Sequence, residues 1–315
     1  MALEIFQLQY RQNTIYNRYV NSLGVNPQNI NAIETIPFLP ISFFKTHEIV
    51  TTTFEPEVVF ESSGTTGENT SRHLVKSLSL YNRSFTKAFE LFYGNPKSWC
   101  ILGLLPGYLE RKNSSLVAMV NDLIGQSDNS FSGFYLHDHE NLYRALAHNE
   151  IIGQPTLLIG VTFSLMDFAE KYSMKLEHTI VMETGGMKGR REELTRSEVH
   201  EFLQKKLGIK VVHSEYGMTE LLSQAYSKEG GIFFCPPWMK VLAREYNDPF
   251  AITSKPGSER PVNGLLNIID LANLYSCSFI ATDDVGKIYK NESFEVLGRL
   301  DVADMRGCSL MTAGD

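Results

Sequence analysis

Residues 60–73 read FESSGTTGENTSRH, which sets the hydroxyls of Ser62, Ser63, Thr65 and Thr66 around Gly64 and Gly67. Glycines let the backbone turn sharply, so several N–H groups and hydroxyls can converge on one anion without a bulky side chain in the way. This is the equipment of a phosphate-cradling loop. The strand-like run Val58-Val59-Phe60 precedes it, so the loop would sit at a strand end, where open α/β sheets bind ligands. No Gly-Lys-Ser/Thr follows, so it is not a Walker A loop. Taken alone, the stretch also reads as a solvated Ser/Thr/Gly turn.

Three later stretches carry matching chemistry. Residues 214–220 read SEYGMTE. Tyr216 beside Gly217 offers a flat face for a base, Thr219 a hydroxyl for phosphate, and Glu220 a hard oxygen for Mg²⁺. Residues 281–286 read ATDDVG after a short strand at 278–280, and a carboxylate at a strand end can hold ribose hydroxyls. Residues 297–308 read LGRLDVADMRGC, where Arg299 could reach ribose or phosphate through its planar fork. The alternatives are an aromatic turn, an Asp-rich turn and a charged surface turn.

These residues need a scaffold, and the chain supplies alternating strand and helix signals. Residues 1–30 are helical in part, with Ile5, Leu8, Ile15, Tyr16 and Tyr19 at helical spacing. Residues 36–45 carry Pro37 and Pro40, which forbid a regular helix and predict an extended aromatic segment packed on the body. Residues 78–93 form an amphipathic helix pattern, and the apolar run at 99–105 a buried strand. Ser114 and Ser115 start another helix. Strands follow at 156–160, 178–183 and 209–213, with helices through Lys171 and at 197–206. The alternation predicts an α/β fold with mostly parallel sheet.

Composition narrows the class. The 315 residues are 43% hydrophobic and 21% charged, an ordinary globular balance. A net charge of −7 argues against nucleic acid as main partner. Cys100, Cys235, Cys277 and Cys308 show no C-x-x-C spacing, so free thiols in a reducing cytosol are expected. The first residues lack a basic start and a long apolar run, and no stretch approaches a membrane span. The expectation is a soluble, cytoplasmic protein. His137-Asp138-His139 has no further ligand at metal spacing, and the charged run at 188–193 reads as a solvated face.

The order SSGTTG, TGG, YGMTE, TDDVG and GRLD resembles the adenylate-forming superfamily of acyl-CoA synthetases, adenylation domains and luciferases. FESSGTTGENTSRH, METGGMKGR, SEYGMTE, GRLDVADMRGC and the entry PFLPISFFK are closer still to LuxE-type acyl-protein synthetases, and the match covers most of the chain. The resemblance implies an α/β fold: the large N-terminal domain of these enzymes, with mixed, mostly parallel sheets flanked by helices. It implies an adenylation domain over residues 1–298 and a short hinge-like tail over 299–315; the small mobile C-terminal domain that most members carry is expected to be absent, a departure from the superfamily pattern.

It also implies a ligase that activates a carboxylic, fatty-type acid with ATP and Mg²⁺ to an acyl-adenylate. Ser62, Ser63, Gly64, Thr65, Thr66 and Gly67 would wrap the β- and γ-phosphates. Gly185 and Gly186 would line the adenine pocket, with Tyr216 and Gly217 at the base. Thr219 would contact the α-phosphate and Glu220 hold the metal. Asp284 and Arg299 would bind ribose, with Asp283 as alternate. Positioning and charge neutralisation suffice for this chemistry. Where much of the superfamily has a loop lysine, this chain has Arg72 and His73, and a histidine is only partly charged near neutral pH.

The family's acyl-carrying cysteine near the C-terminus matches Cys308, whose thiolate Arg306 would favour. Cys100 and Cys277 lie in apolar runs and read as core. The strand-end stretches 106–108 and 161–164 could line the acyl pocket. In the resembled family the acyl group passes to an acyl-CoA/aldehyde reductase partner. Two rivals are an acid–CoA ligase of phenylacetate type, which would not need Cys308, and a non-catalytic nucleotide-binding protein.

Overall fold

The computed structural model describes residues 1–62, 70–105, 113–185, 194–248, 250–253 and 260–300. In chain order they form α1 (Ala2–Gln12), α2 (Thr14–Ser22), β1 (Leu39–Pro40), α3 (Phe43–Thr46), β2 (Val58–Glu61), β3 (Arg72–Val75), α4 (Leu78–Tyr93), β4 (Cys100–Leu104), α5 (Ser115–Gln126), β5 (Gly133–Phe134) and α6 (His139–Ile152). Then come β6 (Thr156–Gly160), α7 (Thr162–Lys171), β7 (Thr179–Glu183), α8 (Arg196–Leu207), β8 (His213–Tyr216), β9 (Ala225–Ser227), β10 (Ile232–Phe233), β11 (Met239–Arg244), β12 (Val262–Asp270), β13 (Phe279–Ile288) and β14 (Phe294–Arg299). Among the described residues no helix is long and apolar enough to cross a membrane.

The chain divides into two compact units. One comprises Val58–Ser62 and Ser77–Pro236. Its sheet has the order β5-β4-β6-β7-β8-β9, parallel from β5 to β8 and antiparallel between β8 and β9. Strands covered on both faces must be apolar throughout, and every residue of β4 (CILGL) and β6 (TLLIG) is buried. The helices start where hydroxyls can satisfy their first N–H groups: Ser77 caps α4, Ser114 caps α5 and Asp138 caps α6. The capping role of Asp138 gives the His137-Asp138-His139 stretch a structural task. Leu102, Leu158, Phe168, Val181 and Leu203 join strands and helices in one core, each contributing roughly 1.5–3 kcal/mol.

The other unit comprises Met1–Glu57, Ser63–Lys76 and Pro237–Asp315. Here the sheet is antiparallel, in the order β14-β13-β12-β11, with β1 parallel to β13 through Leu39↔Ile280 and Pro40↔Ala281. Pro40 lacks an N–H, which a two-residue pairing tolerates. The aromatic segment packs as expected, with Tyr16 Oη donating to Pro37 O at 2.6 Å; only residues 43–46 turn briefly helical. Gln9 Nε2 donates to Asn273 O at 3.1 Å and Asn13 Nδ2 to Ser276 O at 3.0 Å.

Two expected elements differ. The strand placed at 209–213 lies instead at His213–Tyr216, so Ser214, Glu215 and Tyr216 are strand and not the turn after it. Gly208 ends α8 in the left-handed region, and Ile209 and Val212 spend their side chains on the core under the helices. The short strand at 278–280 runs on to Ile288, so the TDDVG stretch is strand throughout, with a register shift within it between Val285 and Gly286. GRLD likewise begins inside β14 and not in a surface turn.

Candidate functional site

The site grows from the carboxyl ends of β7 and β8. Pairing of Glu183 with Ser214 sets these two strand ends side by side. Glu183 is buried, and its carboxylate collects the polar groups of both strands and two helices. Thr162 Oγ1 donates to Oε2 at 3.1 Å, Gly185 N at 2.8 Å, and Ser214 Oγ donates to Oε1 at 2.9 Å. Gly185 reaches this position at φ 73°, which glycine adopts without strain.

Helix α8 brings an arginine and a histidine. Its start is a capping box: Glu198 N donates to Thr195 Oγ1 at 3.3 Å, and Thr195 N to Glu198 Oε2 at 2.7 Å. The first turn so fixed holds Arg196 Nε 3.6 Å and His200 Nε2 3.8 Å from Glu183 Oε1. Burial opposes the charge on Glu183. His200, Arg196 and the donated hydrogen bonds outweigh it and hold the pKa at about 2.

Beside this clamp lies a cavity of about 290 Å³ lined by residues that include Thr162, Gly185, Arg196, Glu215, Tyr216, Gly217 and Phe233. The Tyr216 and Phe233 rings stand 5.8 Å apart at 58°. Glu215 is half-buried on the cavity wall; burial, with the charge of Glu183 adding to it, raises its pKa to about 8.

The structure therefore brings Gly185, Tyr216 and Gly217 to one cavity. Thr219 and Glu220 follow in the next turn, closed by Leu221 N donating to Met218 O at 3.1 Å. Glu220 is buried. A buried carboxylate beside a threonine hydroxyl is the hard-oxygen donor type that Mg²⁺ takes together with substrate phosphates. Ser62 directly follows β2, while Ser63, Gly64, Thr65, Thr66, Gly67, Gly186 and Cys308 lie outside the described residues, as do 106–108 and 188–193.

The remaining candidates lie in the other unit. Arg72 is exposed, 3.8 Å from Glu48 Oε1, and His73 is buried edge-on to Phe44 at 5.8 Å. Asp284 and Arg299 are cross-strand partners, with Nε donating to Oδ1 at 3.2 Å. Asp283 is exposed, and its carbonyl accepts from Leu300 N at 2.8 Å. Cys100 and Cys277 are core, as expected, and burial pushes the Cys277 thiol up to about 12.

Sequence reasoning passed over Glu183, Arg196, His200 and Glu215. METGG had drawn notice for its glycines and SEYGMTE for its tyrosine. For Glu183 the available signal was a carboxylate at the last residue of a largely apolar strand.

Comparison with known proteins adds three findings. The family model for the acyl-protein synthetase LuxE matches residues 1–314. The long-chain-fatty-acid–luciferin-component ligase of Aliivibrio fischeri is 25% identical over 344 residues, spanning 99% of this chain and 87% of that protein. Among solved structures, ATP-bound MatB from Rhodopseudomonas palustris superposes with a TM-score of 0.54 at 16% identity, covering 79% of this chain and 50% of that one. A 2-hydroxyisobutyryl-CoA ligase in the postadenylation state reaches 0.64 at 11% identity, covering 95% and 66%. At these identities the likeness to solved structures is one of fold, and the chain spans about half the length of the first of them.

Proposed function

The chain belongs to the LuxE family of acyl-protein synthetases, and on that footing we propose that it activates a fatty acid with ATP. The acid's carboxylate would displace pyrophosphate from the α-phosphorus, giving an acyl-adenylate. The thiol of Cys308 would then take the acyl group as a thioester and release AMP, its proton passing to solvent. A partner protein, a reductase in the resembled family, would receive the acyl group from there.

The observation that carries this reading is the cavity at the ends of β7 and β8. It joins two separately chosen sequence stretches, and its Tyr216 and Phe233 rings suit a flat base. Clamping by Glu183 keeps both strand ends fixed before any ligand arrives, which lowers the ordering cost of binding. Support for ATP as substrate comes from the nucleotide-bound relatives of the same fold. Glu220 with Thr219 would hold Mg²⁺, which supplies charge neutralisation to the phosphates when bound.

The sequence assignments carry forward for the other contacts. Ser62 through Gly67 would bind the outer phosphates, Arg72 or His73 would add positive charge, and Gly186 would line the base. Asp284 and Arg299 would bind ribose, and residues 299–315 would form the tail that bears the carrier cysteine.

The test is intact-mass spectrometry of the full chain after incubation with Mg-ATP and a panel of fatty and aromatic acids, without CoA, alongside released pyrophosphate. The expected result is pyrophosphate release with one acyl adduct, lost in Cys308→Ser while pyrophosphate release persists. No pyrophosphate with any acid refutes the activation step; an adduct retained in Cys308→Ser refutes the carrier.

A further inference from the structure

Glu215 has no task in that reaction, yet it occupies the cavity wall between Ser214 and Tyr216. Its carboxyl folds over the next glycine: a Cβ built on Gly217 would lie 2.5 Å from Glu215 Oε1. The missing side chain is what leaves room for the carboxyl there. Buried Gln224 packs against the same spot, its Cγ 3.5 Å from that Cβ position, and its Oε1 has no hydrogen-bond partner among the described residues. The groups facing Glu215 are Glu183 from β7, its cross-strand neighbour Tyr226 from β9, and Tyr93 from α4. Arg196 from α8 lines the same cavity, 3.6 Å from Glu183 Oε1.

We propose that Glu215 is the residue that reads the nucleotide base: as an acid it sets one O–H donor beside one carbonyl acceptor, the complement of adenine's ring nitrogen and amino group. A carboxamide pairs with adenine through the same two-point geometry. The inference rests on the reading that this cavity takes the base of ATP. An ionised Glu215 would offer two acceptors, set one of them against the ring nitrogen, and place a second negative charge near Glu183. Binding therefore selects the protonated acid. With the pKa raised to about 8, affinity is full below that pH, falls above it, and approaches a loss of roughly tenfold per pH unit.

Calorimetric titration of ATP into the full chain between about pH 7 and about pH 9.5 tests this, with wild type, Glu215→Gln and Glu215→Ala side by side. Wild type is expected to lose affinity above pH 8. Glu215→Gln keeps its donor and acceptor at every pH and is expected to bind with a flat profile. Glu215→Ala is expected to bind about tenfold or more weakly at pH 7, also with a flat profile. Should the alanine variant not fold, the isosteric glutamine variant carries the test through its slope.

A glutamine variant that keeps the wild-type slope overturns the role, as does an alanine variant with undiminished affinity. Wild type that binds no ATP at any pH overturns it too. Pyrophosphate release is read separately: normal ATP binding without pyrophosphate defeats the acid-activation reading and leaves the base-reading role standing.

Discussion

Glu215→Gln is expected to stabilise the protein, and only where the native carboxyl resists ionising. In the unfolded chain the group ionises near the 4.5 of a free glutamate, whereas in the fold its pKa is about 8. Between those values the native state holds a proton that the unfolded state releases, so this residue's contribution falls as pH rises from about 4.5 to about 8. At about 1.4 kcal/mol per pH unit the whole span corresponds to about 5 kcal/mol. That is a ceiling, because Glu215 lines an open cavity and water reaching it reduces the cost; a gain of about 1–3 kcal/mol is expected. Urea unfolding followed by intrinsic fluorescence, near pH 5 and near pH 8.5, measures it. The variant should match wild type within about 0.5 kcal/mol at the acid end and exceed it at the alkaline end. A difference that is the same at both pH values, or a loss at the alkaline end, refutes the argument that Glu215 is held neutral.

The neighbouring carboxylate behaves in the opposite sense. Its pKa of about 2 against 4.5 implies about 3 kcal/mol of stability, present above pH 4.5 and lost as pH falls through about 2. Glu183→Gln should therefore unfold more easily by about that amount at neutral pH, with a deficit that shrinks between pH 4.5 and 2; an unchanged urea midpoint at neutral pH contradicts the clamp. Thr195→Ala removes the cap of α8 and should cost about 1 kcal/mol, seen as faster amide exchange in the first turn that carries Arg196. Gly217→Ala would set a methyl 2.5 Å from Glu215 Oε1, driving the carboxyl aside. ATP affinity should drop about tenfold, and unchanged calorimetry would show that the carboxyl's place over Gly217 is immaterial.

Much of the scaffold was legible because one-dimensional signals sufficed. The helix at 78–93 and the strand at 156–160 carry both their pattern and their punctuation, and the structure places them at those residues. The shift of β8 was not legible. Ile209, Val211 and Val212 have the composition of a strand, but Ile209 and Val212 are taken up by the core beneath the helices, and the pairing with β7 begins only at His213. Where a strand starts is thus decided by tertiary packing and pairing, which composition does not carry. The same holds for TDDVG, where two aspartates suggest a turn until β14 supplies a partner and pairs Asp284 with Arg299. Glycines and tyrosine marked the cavity in advance because their chemistry is intrinsic to residue type. Glu183 and Glu215 were invisible as a pair because their contrast comes from environment: one carboxyl receives donors from four segments, while the other faces that charge across a cavity.

That division of charge has a consequence for ionic strength. Among the described residues lining the cavity, Glu183 and Arg196 carry opposite charges, and Glu215 adds none while it stays protonated. The wall is then electrically balanced, so inserting an uncharged ring attracts and releases no counterions. Adenosine should bind with nearly the same affinity in dilute and concentrated salt. Whatever salt dependence ATP shows would come from its phosphates alone, since screening acts on exposed charges and spares a neutral contact. Above pH 8 the balance tips negative, and even the bare nucleoside should then begin to sense the salt around it.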